Sequence, residues 1–419
     1  MKIKVTEKSI DEVMNIPEPK HVKPLYPSRA LGLLQKVLAK KDMKAANVKF
    51  IADKSTLPDK DTPCLILMNH SSFIDLEIAA TFFYPRPLSI VCTSDGFVGK
   101  EWLMRKIGCI PTRKFVNEFS LIKDITYALK TLKSSVLMYP EASYSFDGTA
   151  TPLPAALGQF IARLHVPVVM VRTYGAFTRD PLYNGLRVRK VDVTVKVSLM
   201  LTPEDCAKKN ADEINAILKE NFTFDNFRWQ YENSVRVTED FRAEGLERVL
   251  YKCPVCHSEH DMKSSKTKVF CSSCGAEYEL GETGRLEAVK GGASFDFVPD
   301  WYAWERSEVK KELESGQYRA EADVDIIAMV DFKSVYRVGK GHLVHDTDGF
   351  HLRGCGGKID VHKSPLSSYG LYSDYYWYEL GDMICIDSGK MLYYCFPTDG
   401  GMSVSKTRLA AEELYKLKY

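Results

Sequence analysis

The sequence predicts an α/β protein: a mostly parallel sheet flanked by helices, followed by a small cysteine-rich module and a small, mostly β C-terminal domain. Short apolar segments alternate with helical stretches in the first half of the chain, as expected for parallel strands covered by helices. Four cysteines cluster shortly after residue 250, and strand-like segments with a final helix follow them. The predicted domains are therefore residues 1–245, 246–285 and 286–419.

Length and composition narrow the class of protein. The chain has 419 residues, more than one hydrophobic core usually supports, so we expect more than one domain. Lys and Arg number 57 and Asp and Glu 55, which leaves a net charge of +2. A charge so close to zero argues against nucleic acid as a partner. The N-terminus lacks the apolar run of a secretory signal, and no segment is apolar enough to span a bilayer, so we expect neither export nor a membrane span.

One amphipathic helix is expected from Arg29 to about Lys44, after Ser28 as its cap and an extended, proline-containing arm. Its apolar residues repeat at helical spacing, and its basic residues lie on or near the other face: Leu31, Leu34, Val37 and Leu38 against Arg29, Lys36, Lys40, Lys41 and Lys44. Two interpretations stay open, a helix lying on a membrane and an ordinary helix packed on the core. With a basic stretch over residues 100–133, the helix predicts peripheral attachment to the anionic, cytoplasmic face of a membrane.

Four apolar segments, CLILM, LSIVC, SVLMY and VPVVMV, are predicted to be buried, largely parallel strands. Sites in such sheets lie beyond the carboxyl ends of the strands, so the polar residues after the first and third segments are candidates. The first segment continues as NHSSFID, which places His70 and Asp75 with four residues between them. The third continues as PEASYS and contributes Glu141, Ser143 and Tyr144.

Further blocks accompany this pair in order along the chain: GCIPTRKF with Arg113 and Lys114, YPEASYS with Glu141, and VPVVMV. Together they resemble the glycerophospholipid acyltransferase family, typified by the 1-acylglycerol-3-phosphate acyltransferases, over roughly residues 45–200. The resemblance implies that His70 and Asp75 act as a charge-relay pair and that Arg113 and Glu141 help to hold the acceptor. It also implies a lysophospholipid acceptor, such as 1-acylglycerol-3-phosphate, and an acyl donor that is acyl-coenzyme A or acyl carrier protein.

The residue types suit acyl transfer to an alcohol. A hydroxyl group is a poor nucleophile at neutral pH, so a neutral imidazole must take its proton as the oxygen attacks the thioester, the role predicted for His70. A carboxylate on the other ring nitrogen, here Asp75, fixes the tautomer and stabilises the imidazolium. Ser71 or the backbone amides of the 70–75 turn are candidates to stabilise the oxyanion.

The predicted substrate-binding residues are Arg113, Lys114, Glu141, Ser143 and Tyr144. A planar guanidinium matches a phosphate through two parallel bonds, so Arg113 is the natural binder of the acceptor's phosphate, with Lys114 assisting. The third block of the family reads Glu-Gly-x-x-Ser with an Arg in fourth place, whereas here it reads EASYS and has no Arg. The missing charge favours a larger or less charged head group than a phosphomonoester, hydrogen-bonded by Tyr144.

The cysteine cluster consists of two Cys-x2-Cys pairs separated by fourteen residues: Cys253 and Cys256, then Cys271 and Cys274. Four thiolates at this spacing predict a zinc ribbon, with a structural site whose closed shell leaves no position for catalysis. His257 and His260 are expected to be surface residues. The other seven of the eleven cysteines are scattered, which indicates reduced thiols and a cytoplasmic protein.

The last part of the chain contains the strand-like segments SDYYWYEL, DMICIDS and KMLYYCFP before a final helix. They predict a small barrel, for which a pleckstrin-homology-like fold is one candidate.

Two other functions stay open on the sequence alone. A lipid-binding or scaffold protein would keep the same fold with an altered third block, and would bind lipid without turnover. A nucleic-acid-binding protein is the second alternative, because zinc ribbons often bind nucleic acid and this one offers Lys263, Lys266 and Lys268. The near-neutral charge of the chain argues against that second alternative.

Overall fold

The structure, a computed structural model, describes residues 2–116, 118–292 and 295–419. The strands of these residues form three sheets of seven, four and eight strands. The seven-stranded sheet comes first in the chain, the four-stranded sheet contains the cysteine pairs, and the eight-stranded sheet lies in the C-terminal part.

The first sheet carries the four apolar segments that the sequence predicts as strands. Strand β1 (Val5–Glu7) lies outside it, and its own strands run in the spatial order β2-β8-β7-β3-β6-β4-β5. Their bounds are β2 (Lys49–Ala52), β3 (Leu65–Met68), β4 (Leu88–Thr93), β5 (Cys109–Thr112), β6 (Ser135–Met138), β7 (Val168–Tyr174) and β8 (Thr194–Leu201).

The direction of the strands agrees with the predicted fold class in part. Strands β2 and β8 are parallel, as are the neighbours from β7 through β3, β6 and β4 to β5, whereas β7 and β8 are antiparallel. An antiparallel neighbour needs no helical crossover, and the segment between β7 and β8 contains only short helical turns. The α/β architecture is confirmed, and the description "mostly parallel" holds for the part of the sheet that contains the candidate site.

Most helices come between the strands of the first sheet or directly after it, and α12 and α13 belong to the C-terminal part. Helix α2 follows the predicted bounds closely, and the Ser28 side chain caps it by accepting from the Leu31 amide. The N-terminal arm is less extended than predicted, because a short helix with a capping box of Ser9 and Glu12 interrupts it. The helices are α1 (Ile10–Met14), α2 (Arg29–Ala45), α3 (Ile74–Phe83), α4 (Glu101–Ile107), α5 (Phe119–Lys130), α6 (Leu157–Leu164), α7 (Ala176–Arg179), α8 (Pro203–Lys208), α9 (Ala211–Phe222), α10 (Asn226–Glu232), α11 (Leu246–Val249), α12 (Val298–Glu314) and α13 (Val404–Lys418).

The cysteine-rich module is an antiparallel sheet in the order β12-β11-β10-β9. Helix α12 binds the N-terminal end of the cysteine-rich module. Trp301 Nε1 donates to the Lys252 carbonyl at 3.1 Å, and the Lys252 amide donates to Glu305 at 2.8 Å. Buried residues of the module, such as Tyr278, therefore share one apolar core with the C-terminal part. The strands are β9 (Met262–Ser265), β10 (Lys268–Cys271), β11 (Glu277–Leu280) and β12 (Leu286–Lys290).

The C-terminal sheet is antiparallel in the order β16-β15-β14-β13-β19-β18-β17, and β1 joins β14 in parallel. The N-terminal strand thus pairs with a strand more than 300 residues away, as Val5 lies opposite Val335. Helix α13 packs on α12, where Arg306 contacts Glu412 at 2.8 Å. The strands are β13 (Ala320–Met329), β14 (Val335–Asp346), β15 (Gly349–Gly354), β16 (Ile359–Lys363), β17 (Ser373–Asp374), β18 (Met383–Asp387) and β19 (Leu392–Pro397). The strand-rich C-terminal part agrees with the predicted β content, whereas the domain boundaries at 245 and 285 and the pleckstrin-homology-like fold stay predictions.

A helix that crosses a bilayer needs about 20 mostly apolar residues. Within the described residues, no helix is both long and apolar enough to cross a membrane.

The junction between the first sheet and the cysteine-rich module depends on a glycine. Gly245 has φ +90°, and a Cβ there would lie 1.9 Å from the Tyr183 carbonyl oxygen. Its amide donates to Ser264 Oγ of β9 at 2.8 Å. Only a residue without a side chain allows both contacts.

We expect Gly245→Ala to destabilise the protein more than Gly316→Ala. Gly316 also has a positive φ, +71°, but a Cβ there meets nothing within 4 Å. The Gly316 variant should therefore lose only about 1–2 kcal/mol from the left-handed backbone, and the Gly245 variant about 1–3 kcal/mol more from overpacking. Urea unfolding of both variants measures the difference, and equal losses would contradict the role given to the Tyr183 contact.

Candidate active site

The turn after β3 holds the candidate histidine at the carboxyl edge of the first sheet. All four residues of β3 are buried, so the chain becomes polar only where the strand ends at Asn69. The Asn69 side chain accepts from the Thr173 amide of β7 at 2.9 Å and donates to Ser71 Oγ at 2.7 Å. The turn that carries His70 is thereby tied to the neighbouring strand.

Asp75, in the first turn of α3, organises this turn with one oxygen. Its Oδ2 accepts from the amides of Ser71 and Ser72 at 2.8 and 2.9 Å, and it lies 3.4 Å from His70 Nδ1. A hydrogen bond from Nδ1–H leaves Nε2 as the nitrogen that can accept a proton. The amides of Ser71 and Ser72 are engaged by Asp75 and do not point to a free oxyanion position, whereas an oxyanion role for the Ser71 side chain stays a prediction.

Two tyrosine rings hold the imidazole between them. The centroid of the His70 ring lies 4.2 Å from that of Tyr139 and 4.0 Å from that of Tyr144. The His70 side chain keeps 18% of its surface exposed, whereas Asp75 keeps 1%. The ring is therefore fixed in orientation and still reaches the surface of the site.

Burial shifts the protonation of both members of the pair. Burial of the His70 ring, with a smaller effect from the positive charge of Lys114, lowers the pKa of His70 to about 3. Burial raises the pKa of Asp75 to about 7, and the amides of Ser72 and Ser71 oppose that increase. His70 is thus neutral at physiological pH, as a general base must be, and Asp75 becomes negatively charged as the pH rises through about 7.

Glu141 is joined to the catalytic turn through the backbone. One of its oxygens accepts from the His70 amide at 3.0 Å and the other from the Thr151 amide at 2.8 Å. The residue is buried, and this burial raises the pKa of Glu141 to about 7. These bonds give Glu141 a positioning role between the third block and the turn of His70.

The residue after Glu141 in the third block has a left-handed backbone conformation. Ala142 stands in that place with φ +57°, a left-handed conformation that glycine adopts without steric conflict. Ser143 Oγ donates to the Tyr144 carbonyl at 3.1 Å and is buried. A guanidinium does reach the block from far along the chain, because Arg408 Nη1 of α13 lies 3.5 Å from the same carbonyl.

The two predicted basic residues after β5 have different surroundings. Arg113 donates to Glu118 at 2.8 Å and to Asp387 of the C-terminal sheet at 3.2 Å, so its charge is already paired. Lys114 Nζ lies 4.4 Å from the ring centroid of Tyr372, and its charge acts on both His70 and Asp374. The structure therefore brings Lys114 to the pair and places Arg113 in the contact between the domains.

Several residues of the site were not predicted from the sequence. Tyr139 ends the third apolar segment and had a local signal, because polar residues at that edge of the sheet were candidates. Tyr372, Asp374 and Arg408 had none, since they come from a strand and a helix more than 200 residues beyond the motif. Their contact with the site depends on how the C-terminal domain packs.

The four predicted metal ligands converge at the end of the cysteine-rich sheet. The sulfur atoms of Cys253 and Cys274 are 3.7 Å apart, as are those of Cys256 and Cys271. All four lie within 4.8 Å of one another. A tetrahedral ion with metal–sulfur bonds of about 2.3 Å places its ligands roughly 3.8 Å apart, so the four thiols fit a single metal ion. The His257 side chain is 58% exposed, as predicted for a surface residue.

The region around the pair is similar to known proteins. The family model described as Acyltransferase matches residues 45–173. A chloroplastic 1-acyl-sn-glycerol-3-phosphate acyltransferase of Brassica napus is 27% identical over 125 residues, which cover 28% of this chain and 35% of that protein. A 1-acyl-sn-glycerol-3-phosphate acyltransferase of Chlamydomonas reinhardtii is 26% identical over 168 residues, which cover 39% of this chain and 48% of that protein. The chain thus spans about a third to a half of the length of these two relatives.

Among solved structures, the 1-acyl-sn-glycerophosphate acyltransferase PlsC of Thermotoga maritima aligns with a TM-score of 0.39 at 13% identity, over 50% of this chain and 83% of that one. The region that matches the family model includes the segment that carries His70 and Asp75. Residues 45–173 thus match the acyltransferase family model, and the chain is similar over part of its length to 1-acyl-sn-glycerol-3-phosphate acyltransferases.

Proposed function

We propose that the protein is an O-acyltransferase that moves a fatty acyl group from acyl-coenzyme A or acyl carrier protein to the hydroxyl of a lysophospholipid such as 1-acylglycerol-3-phosphate. The observation that carries the proposal is the His70–Asp75 contact of 3.4 Å at the carboxyl edge of the sheet, inside the region that matches the family. The neutral ring, held between two tyrosines, is in the protonation state that the reaction needs.

In this mechanism His70 acts first as base and then as acid. Nε2 takes the proton of the acceptor hydroxyl while the oxygen forms a bond to the thioester carbonyl carbon. The tetrahedral intermediate then expels the thiolate by breaking the carbon–sulfur bond, and the imidazolium returns the proton to that sulfur. Asp75 holds Nδ1–H and stabilises the imidazolium between the two steps, which its buried position strengthens.

Substrate binding is proposed for the residues that face the pair. Lys114 would meet the phosphate of the acceptor, because its charge already acts on His70. Tyr144 would line the same space, since its ring stacks on the imidazole. Arg113, Glu141 and Ser143 are proposed to position these groups, because their polar atoms are bound within the protein. The acceptor would thus be bound chiefly by one cation and by the surfaces of the aromatic rings.

Peripheral membrane attachment is proposed on the face beside the site. Leu34 and Leu38 of α2 are 50% and 68% exposed, and Trp102 of α4 is 71% exposed. Helix α2 packs on both α3 and α4, and Phe73, next to the catalytic turn, is 50% exposed as well. Exposed apolar side chains on neighbouring helices, with basic residues on the same helices, suit an anionic membrane. We place the attachment at the cytoplasmic face because the cysteine cluster needs reduced thiols.

The metal of the cysteine cluster is proposed to be Zn²⁺ with a structural role. Four thiolate ligands suit zinc, and a shell closed by four protein ligands leaves no position for substrate. The cluster holds together the loops at the end of the module that packs against α12.

His70→Ala is expected to lower turnover by about 10²- to 10⁴-fold, because a positioned base contributes that much. Asp75→Asn should also be severely impaired, since the amide no longer stabilises the imidazolium.

In the unaltered protein, turnover should rise as the pH increases through about 7, where Asp75 ionises. Transfer of labelled acyl groups to lysophosphatidic acid measures all three effects.

His351→Ala, a change at an exposed histidine of β15, serves as the matched control and should keep full turnover. Full turnover by well-folded His70→Ala protein would overturn the assignment. Lipid binding without turnover by the unaltered protein would instead identify a lipid-binding or scaffold protein.

Cys253→Ser is expected to release the metal and to unfold the cysteine-rich sheet, because metal binding supplies much of the folding free energy of such modules. Elemental analysis of the purified protein should find zinc in the parent and in a Cys355→Ser control, whose cysteine lies outside the cluster. Limited proteolysis should cut the Cys253→Ser protein first between 251 and 292. A parent protein purified without chelators that contains no zinc would contradict the assignment.

Leu34→Glu is expected to weaken binding to anionic vesicles, because it places a negative charge in the apolar face of α2. Val289→Glu, at a residue of the cysteine-rich sheet that is 53% exposed, is the control and should bind like the parent. Binding of the parent should also weaken as salt increases, since exposed charges are screened. Co-sedimentation with vesicles gives both results, and equal binding of the two variants would exclude α2 as the attachment surface.

A further inference from the structure

A segment of the C-terminal domain, residues 372–378, crosses the carboxyl edge of the first sheet; we call it the cover segment. Tyr372 Oη and Trp377 Nε1 both donate to Asp95 Oδ2, at 2.6 and 3.0 Å, and Asp95 follows β4 at that edge. Tyr375 stacks on Phe146, two residues after Tyr144 in the third block, with ring centroids 4.3 Å apart. The cover segment is thus anchored to the turn after β4 and to the residues that follow the third block.

The cover segment and the catalytic turn enclose the same space. Tyr144 stacks on His70, and its carbonyl contacts Arg408, whose guanidinium lies 4.2 Å from the Phe146 ring. On the other side, Lys114 lies over Tyr372 of the cover segment. Any substrate that reaches His70 therefore lies beside residues of the C-terminal domain.

Buried polar atoms around this space lack partners. Asp374 Oδ1 and Tyr139 Oη are buried and make no hydrogen bond to any described residue. More than nine in ten buried polar groups in proteins are hydrogen-bonded, so two unpartnered atoms around one site point to a ligand that supplies the missing partners.

The chemistry of Asp374 limits what that ligand is. Burial raises the pKa of Asp374 to about 6, against the opposing effect of Lys114, so its carboxylate is ionised at neutral pH. An ionised carboxylate only accepts hydrogen bonds. It therefore needs an N–H or O–H group and repels a phosphate, whereas Lys114 on the other side attracts one.

We propose that Asp374 binds a hydrogen-bond donor, an ammonium or a hydroxyl, in the head group of the acceptor, so that the preferred acceptor is a lysophospholipid with a phosphodiester head group. This inference rests on the proposed acyltransferase function and narrows its substrate class. The phosphate lies at Lys114 and the donor group beyond it lies at Asp374. The C-terminal domain then takes part in choosing the acceptor.

Four lysolipids with the same acyl chain separate the possible head groups. The ethanolamine and glycerol forms carry a donor as an ammonium and as hydroxyls, whereas the choline form and lysophosphatidic acid have no such group beyond the phosphate. Binding of short-chain forms is measured by calorimetry without an acyl donor, and transfer is measured as kcat/KM for each form. The full-length, metal-containing protein is used throughout.

We expect the parent to bind and to acylate at least one donor-bearing form about 10- to 100-fold better than the choline form and lysophosphatidic acid, the usual strength of a hydrogen bond to a charged group. Asp374→Ala should remove this preference and leave the other two forms nearly unchanged. Asp374→Asn keeps the size of the side chain and should lose most of the preference. It tests the same prediction if the alanine variant does not fold. Asp360→Asn, at an exposed carboxylate of the same domain, is the matched control and should keep the preference.

Equal affinity of the parent for all four lipids, or an unchanged preference in both Asp374 variants, would overturn the inference. The two proposals fail separately. A preference that depends on Asp374 in binding, without transfer to any acceptor, refutes the acyltransferase function alone. Transfer that depends on His70 but not on Asp374 refutes only the head-group assignment.

Discussion

The site depends on a single carboxylate oxygen. Asp75 Oδ2 accepts from two successive amides of the turn and lies against the imidazole of His70, so the same atom shapes the backbone and orients the ring. Because this oxygen is almost fully buried, its partners must all come from the protein. Asp75 lies in the first turn of α3, directly after the turn that carries His70. The short spacing of the motif therefore lets the carboxylate fold back onto the imidazole.

Burial of two carboxylates beside the imidazole is unfavourable unless other groups stabilise their charges. Asp75 and Glu141 are both buried, and after burial itself the charge of Asp75 further raises the pKa of Glu141. Backbone amides from the catalytic turn and from Thr151 offset part of this effect. The imidazole is neutral for the same reason, burial, that makes the carboxylates harder to ionise. The same buried environment makes the carboxyl groups harder to ionise before the reaction and strengthens the attraction between ionised Asp75 and the imidazolium formed during transfer.

The C-terminal part of the chain covers the carboxyl edge of the first sheet and makes several polar contacts with it. Asp95 takes two donors from the cover segment, Arg113 reaches Asp387, and the third block contacts Arg408. The C-terminal domain is therefore part of the site's structure. The cysteine-rich sheet belongs to the same body, because α12 binds its first residues and packs on α13.

The sequence by itself determined the α/β architecture, the strands that end at His70 and Glu141, and the convergence of the four cysteines, because apolar periodicity and short spacings are local properties of the chain. It did not predict that the amides of Ser71 and Ser72 would be engaged by Asp75, since the direction of an amide depends on the folded turn. Only the tertiary structure decided that Arg113 is paired with Asp387 while Lys114 faces the pair, because adjacent basic residues have no sequence signal that distinguishes them. Only the tertiary structure brought Asp374 to the site, because a contact between parts of the chain about 300 residues apart leaves no local pattern and arises from packing alone.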